Sequence, residues 1–384
     1  MKNLKKNTHS SLTTYSIIKV FFDIDTVKSK SLIITLMALL LFIMFNIAFK
    51  RVHVTDPLPK ITPISTKIIK ELGPFAVKVR TGLFIKNLPE FDIIKNLFII
   101  DTMLWFEYNA DEIMPETIER FSFDKGTVRY KTPADIRIEE NKIFAKYNVL
   151  FDIKCDLNYH KFPFEDHRIA IVLANNFVTP EEMYFMVDGS SFQIAPNIFP
   201  ANWKLQDLNV DAGYQKLQLD PHDQTKKTEN PKAIFIINIV KASTRKILII
   251  FLPLFSAIFL SFFSFVMNIA NVVGRFSIAI SAVTALLGYR FVIEQMIPQV
   301  GYFTTTDEIY LFLLIVAFII FMFQLLITRF YMVRADNAKK QPTDHEKNKT
   351  ESSNDIDPLE KVNSKFFIIT SIAFSIITSY LLLK

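Results

Sequence analysis

The chain has 384 residues, a formal net charge of +6 and 14% aromatic residues, with 38 phenylalanines. Its positive mean hydropathy is gathered into a few long apolar runs, which excludes an ordinary soluble domain. The basic excess sits beside those runs, where it reads as a topology signal rather than a nucleic-acid surface, and a single cysteine, Cys155, excludes an internal disulfide.

Residues 1–30 form a basic N-terminal segment with six lysines and two aspartates. The apolar run Ser31–Phe49 follows, with no small-residue cleavage site behind it. Its length favours an uncleaved signal anchor with the N-terminus in the cytoplasm.

Between residues 50 and 242 the pattern changes to short β-branched and aromatic segments. These are Ala76–Ile85, Phe98–Tyr108, Val128–Tyr130, Ile143–Ile153, Arg168–Leu173, Met183–Val187, Trp203–Val210 and Ala233–Val240. Turn residues such as Asp124–Gly126 and Asp188–Gly189 punctuate them. Many short strands with frequent turns predict an antiparallel β-sandwich.

Residues 243–384 hold four further apolar spans, Ile247–Met267, Phe276–Ile293, Ile309–Ile327 and Phe366–Leu383. The polar stretch Tyr331–Lys365 reads as a disordered cytoplasmic loop. The loop Pro298–Glu308 has no Lys or Arg, whereas the N-terminal segment and 331–365 are rich in them. The positive-inside rule then puts the β domain outside the membrane. The expectation is an integral, multi-pass membrane protein, in the inner membrane if the source is bacterial.

The third apolar run carries a stripe. Ser277, Ser281, Thr284, Gly288, Phe291 or Val292, and Gln295 recur at steps of three and four, which is one face of an α-helix. Ile278, Ile280, Val283, Leu286, Leu287 and Ile293 occupy the remainder. A small, hydroxyl-bearing stripe gains nothing from lipid. It serves either as a face that ties helices together or as the lining of a wet path between several copies.

One β domain followed by four spans, the second of them striped, resembles the pentameric ligand-gated ion channels of the Cys-loop receptor superfamily. Local motifs carry the resemblance. Cys155–Ile169, CDLNYHKFPFEDHRI, is similar to the family's signature loop, with Cys155, Phe162, Pro163 and Phe164 at matching spacing. Glu165 stands where the family has Asp, His167 where it has Gln, and Ile169 where animal members have a second cysteine. The chain is therefore similar to prokaryotic members without the loop disulfide, and Cys155 reads as a buried small hydrophobe. Arg275 and Pro298 have the family's spacing across the pore helix. The run PQVGYFTTTDEIYL resembles the loop beyond it, and Phe98–Tyr108 the second strand. Pro253 matches a proline of the first family span.

The resemblance implies a homopentamer passing small ions when an outer domain binds a small molecule, with membrane lipid around it and no nucleic acid. It implies pore-lining roles for Ser277, Ser281, Thr284, Gly288, Phe291, Val292 and Gln295. Thr284 replaces the family's large aliphatic mid-helix residue, so a hydrophobic constriction falls to Phe291 or Val292. By position, a ligand site would draw on Trp105, Phe106, Asn176, Phe177 and Tyr214. Coupling would run through Phe162, Pro163, Phe164 and Glu165, through Pro298 and Asp307, and through a basic partner of Glu165, either Lys241 or Arg245. Arg290 and Glu294 lie at the i, i+4 spacing of a helix pair. Ion selectivity stays open, because Val273–Gly274 matches neither the cation-channel nor the anion-channel pattern.

No metalloprotease, Walker, nucleophile-elbow or dinucleotide motif is present, so an enzyme is not expected and no cofactor is read. His160 and His167 flank the FPFE motif, where a structural role is expected over a metal site. The competing reading is a membrane-anchored sensor or assembly protein that conducts nothing and uses the stripe for packing.

Overall fold

The structure is a computed structural model that describes residues 27–51, 54–73, 75–139, 141–223, 226–340 and 358–384. The expectations for residues 1–26, and for the middle of the polar stretch at 341–357, lie outside the described residues. In chain order the elements are α1 (Val27–Lys50), β1 (Thr62–Pro63), α2 (Thr66–Leu72), β2 (Val77–Asp92), β3 (Leu97–Asn109), α3 (Pro115–Glu119), β4 (Phe121–Phe123), β5 (Gly126–Lys131), β6 (Asp135–Glu139) and β7 (Lys142–Ile153). They continue with β8 (His167–Asn175), β9 (Met183–Met186), β10 (Phe192–Ile194), β11 (Trp203–Gln218), β12 (Lys227–Lys241), α4 (Arg245–Phe263), α5 (Val272–Glu294), α6 (Thr305–Lys340) and α7 (Pro358–Leu383). Two compact units result. One holds Val52–Thr244 with Pro298–Gly301, and the other holds the chain up to Arg51, Arg245–Ile297 and Tyr302–Lys384.

The first unit is built on two sheets. A five-stranded sheet runs β1-β11-β12-β8-β4. A seven-stranded one runs β10-β2-β3-β7-β5, with β6 on β7 and β9 on β2. Strict alternation along β7, with every second residue from Ile143 to Ile153 buried, fixes which face turns inward. Aromatic rings join the sheets: Phe123 of β4 stacks on Phe151 of β7 at 3.9 Å, and Phe192 of β10 meets Phe235 of β12 at 5.3 Å. Each such ring, fully buried, stabilises the fold by roughly 1.5–3 kcal/mol.

β12 breaks the alternation, being buried from Asn230 to Ile239 without interruption. The reason lies far away in sequence. Ile61, in the arm that precedes β1, packs on Val172, Ile234 and Ile236, so the face turned away from Phe235 is covered as well.

Every strand expected from sequence is present, several of them longer. The β11–β12 hairpin continues to Gln218 and Lys227 through polar residues, held by backbone pairing and by a Lys216–Glu229 contact of 3.0 Å.

Among the described residues, five helices are long and apolar enough to cross a membrane, α1, α4, α5, α6 and α7, all in the second unit. Phe45 of α1 packs against Phe251 and Phe255 of α4 at 5.1 and 5.4 Å. Phe262 of α4 meets Phe367 and Phe374 of α7. Pro253 lies inside α4, where neighbouring helices re-satisfy the backbone group a proline frees.

The expected loop 331–365 needs correcting. α6 continues as helix to Lys340, and α7 begins at Pro358. Apolar windows mark the lipid-crossing part of a helix and not its polar extension. Pro358 at the start of α7 and Glu360 in its first turn are favourable helix-start chemistry.

Candidate functional site

α5 opens on Asn271, whose side-chain oxygen accepts the Gly274 N–H at 3.1 Å and so caps the helix. Arg275, Ala279, Ala282, Leu286 and Ile293 are its buried residues. At about 100° per residue they define one face, and the predicted stripe falls on the opposite one. Ser277, Ser281, Thr284, Gly288, Phe291, Val292 and Gln295 are all exposed in the single chain. The Thr284 hydroxyl donates to the Ile280 carbonyl of its own helix at 3.0 Å, an intrahelical bond that leaves no donor reaching to a neighbour. A methyl group built on Gly288 would meet nothing within 4 Å. Within one copy of the chain, then, helix packing uses the Ala279–Leu286 face, and the small-residue stripe is left uncovered.

Arg275 is fully buried and points into the bundle, away from the stripe. Its guanidinium donates to Gln324 Oε1 at 3.0 and 2.6 Å and to Asn363 Oδ1 at 2.5 Å. Gln324 in turn donates to Ser264 at 2.8 Å, and Asn363 lies beside Glu360, which pairs with Lys30. α1, α5, α6 and α7, with the segment just after α4, thus share one polar network at one end of the bundle. The sequence shows Arg275 as a basic residue at a helix end; its side-chain partners Gln324 and Asn363 lie 49 and 88 positions away and leave no local pattern.

At the other end of α5, Arg290 meets Asp307 at 2.8 Å, Glu294 at 3.6 Å and the Tyr310 ring at 5.3 Å. The expected i, i+4 pair with Glu294 is the longer of the two ion contacts. Asp307 also accepts from the Thr304 backbone N–H at 3.1 Å, while Thr304 Oγ1 accepts the Asp307 N–H at 3.3 Å. This reciprocal arrangement is a capping box at the start of α6.

In the β unit, Phe162, Phe164 and Glu165 are buried, as is Pro163. Pro298 is also buried, and Arg245 begins α4. The sequence led to Glu165 as the ionic partner of Lys241 or Arg245. The carboxylate found 3.1 Å from Lys241 Nζ is that of Asp166, one residue on, which also accepts the Lys241 backbone N–H at 2.9 Å. Strand pairing explains the change: β8 and β12 run antiparallel with Ile239 opposite His167, which brings the start of one beside the end of the other.

Glu165 faces His167. The His167 ring has Asp56 at 3.1 Å from Nδ1 and Glu165 at 3.6 Å from Nε2. Burial alone would lower the His167 pKa; the Asp56 hydrogen bond and the negative charges of the two carboxylates outweigh it and raise the value to about 9. Asp56 also accepts the backbone N–H groups of Arg168 at 2.7 Å and Asn158 at 2.6 Å. It is the one member of this cluster outside the FPFE region, and nothing near it in sequence announced the role. Among the described residues, no group of three or more His, Cys, Asp or Glu could hold a metal ion.

Neither known family models nor curated proteins give a match to this sequence. The remaining residues are therefore placed by their own geometry. Trp105 and Phe106 are neighbours on β3 and must face opposite ways. Phe106 is wholly buried against Phe121, Tyr147 and Phe185, so it belongs to the core and offers no ligand surface. Trp105 is half-buried on the other face and stacks on Phe144 at 5.7 Å. Tyr214 is buried where β11 pairs with Thr62. Asn176 and Phe177 stand on the turn after β8, and the Phe177 ring, 65% exposed, lies under the Arg120 guanidinium at 5.1 Å. Of the five expected ligand residues, Trp105, Asn176 and Phe177 keep accessible surface, and they lie on or beside different sheets.

Proposed function

We propose that the chain is one subunit of a homopentameric ligand-gated ion channel of the Cys-loop type. In this reading the two sheets form an outer β-sandwich and α4 to α7 form the four-span channel domain, with α1 as an extra anchor. The observation that carries it is the exposure of the α5 stripe. The side of α5 that packs within the chain is the Arg275–Ala282–Leu286 side, so Ser277, Ser281, Thr284 and Gly288 are free to face an axis shared by several copies. Hydroxyls in that position replace part of an ion's hydration shell.

The motif matches around Phe162–Phe164 and from Arg275 to Pro298 support the same reading. So does the charge asymmetry that puts the β unit outside. The accessible ligand candidates, Trp105 on one sheet and Phe177 beside the other, suit a site completed between neighbouring subunits.

Bulky substitution separates this reading from a non-conducting sensor. Purified Ser281→Phe and Gly288→Phe variants, reconstituted in liposomes, are expected to retain the wild-type particle mass and to lose ion flux. If the same variants instead fail to assemble, the stripe is a packing face and the channel reading is wrong.

A further inference from the structure

Before its first strand the chain forms an arm across the outer face of the five-stranded sheet. It is tied at one end by the Val54–Asp166 bridge and by Asp56, and at the other by Ile61 on Val172 and by the pairing of Thr62 with Tyr214. Beside the intervening residues, Pro57 to Lys60, lies a cavity of about 340 Å³. That volume is at the lower end of small-molecule sites.

The walls are of two kinds. Pro57, Pro59, Ile61, Ala170 and Val172 supply an apolar surface. Around it stand five cationic side chains, Lys60, Lys125, Lys154, Arg168 and Lys232, and only two carboxylates, Asp124 and Asp156. Both carboxylates are already used: Asp156 pairs with Lys125, and Asp124 with Lys232, which also reaches Gln215. Among the described residues Lys60, Lys154 and Arg168 have no carboxylate partner. Arg168 is held through Nε by Asn238 Oδ1 at 2.9 Å, which leaves the outer edge of its guanidinium for an incoming group. Cys155, also in the wall, is a neutral thiol, its pKa pushed up to about 12 chiefly by burial.

Three uncompensated positive charges around an apolar hollow recognise one kind of molecule. We propose that this cavity binds a small organic carboxylate with an apolar body, its carboxyl group meeting Arg168, Lys60 and Lys154 and its hydrocarbon part lying on the arm and the sheet. A planar carboxylate suits a guanidinium through two parallel hydrogen bonds, and the apolar wall gives no advantage to a bare inorganic anion. The site lies within one copy of the chain, draws on none of the residues assigned above to a ligand, and stands independently of whether the chain conducts.

Isothermal titration of the full chain in detergent tests it, with benzoate and inorganic phosphate as probes and a detergent-only titration subtracted. Benzoate is expected to bind more tightly than phosphate and to weaken as ionic strength rises. Lys60→Gln and Lys154→Gln remove exposed side chains, so folding is not at issue. Each is expected to weaken benzoate about tenfold, equivalent to 1.4 kcal/mol, while Lys95→Gln, outside the cavity, leaves it unchanged. Phosphate binding as tightly as benzoate, benzoate affinity untouched in both lysine variants, or no heat beyond the detergent control would each overturn the proposal.

Discussion

His167 shows how one side chain can be committed by its surroundings. Held between Asp56 and Glu165, it has a folded-state pKa of about 9, above the roughly 6.5 of an unfolded histidine. Its contribution is therefore fully present below about pH 6.5 and is lost as the pH rises through about 9. The shift corresponds to something on the order of 3 kcal/mol. Thermal denaturation of wild type and His167→Gln from pH 6 to 9.5 should show the wild-type advantage shrinking across that window. A constant difference would mean the imidazolium is not what stabilises the cluster. A second residue-scale test concerns Gly82, where a Cβ would come within 2.3 Å of the Trp105 ring and 2.6 Å of the Ser191 carbonyl. Gly82→Ala should lower stability by about 1–3 kcal/mol and shift Trp105 fluorescence. An unchanged spectrum would show that the indole does not lie across the glycine.

The elements differ in how far the sequence announces them. β7 and β3 alternate so regularly that their inward faces are legible residue by residue. β6 is not legible, because all five of its residues are exposed and only pairing to β7 makes it a strand. β12 is legible as a strand, but its burial on both faces is not, because its cover, Ile61, cannot be inferred from any period. The α5 stripe is legible as a face. That it lies opposite the packing face follows from where Arg275 points, which is set by partners on other helices. Those partners carry an element-scale prediction. Gln324→Leu removes two hydrogen bonds from a buried guanidinium and should destabilise the helical unit by about 2–4 kcal/mol. Arg275→Met combined with Gln324→Leu should recover part of the loss, since an apolar replacement strands no charge. Wild-type thermostability in the single variant would remove the network from the account of helix packing.

At the scale of the whole molecule, the described residues form a β-rich unit and five helices long and apolar enough to cross a membrane, and the candidate function rests on one uncovered helix face. The polar extensions of α6 and α7 were hidden because charged helix ends look like loop in composition. Asp166, the residue after the expected Glu165, meets Lys241, because spacing fixes a neighbourhood and strand register fixes the contact. Cysteine accessibility along α5 decides whether the stripe meets water. In a Cys155→Ser background, single cysteines from Phe276 to Gln295 would be exposed to a small water-soluble thiol reagent in the assembled protein. Fast labelling is expected at Ser277, Ser281, Thr284 and Gly288, with protection at Ala279, Ala282 and Leu286. Labelling that ignores this division, or protection of all four stripe positions, would contradict the proposed pore lining.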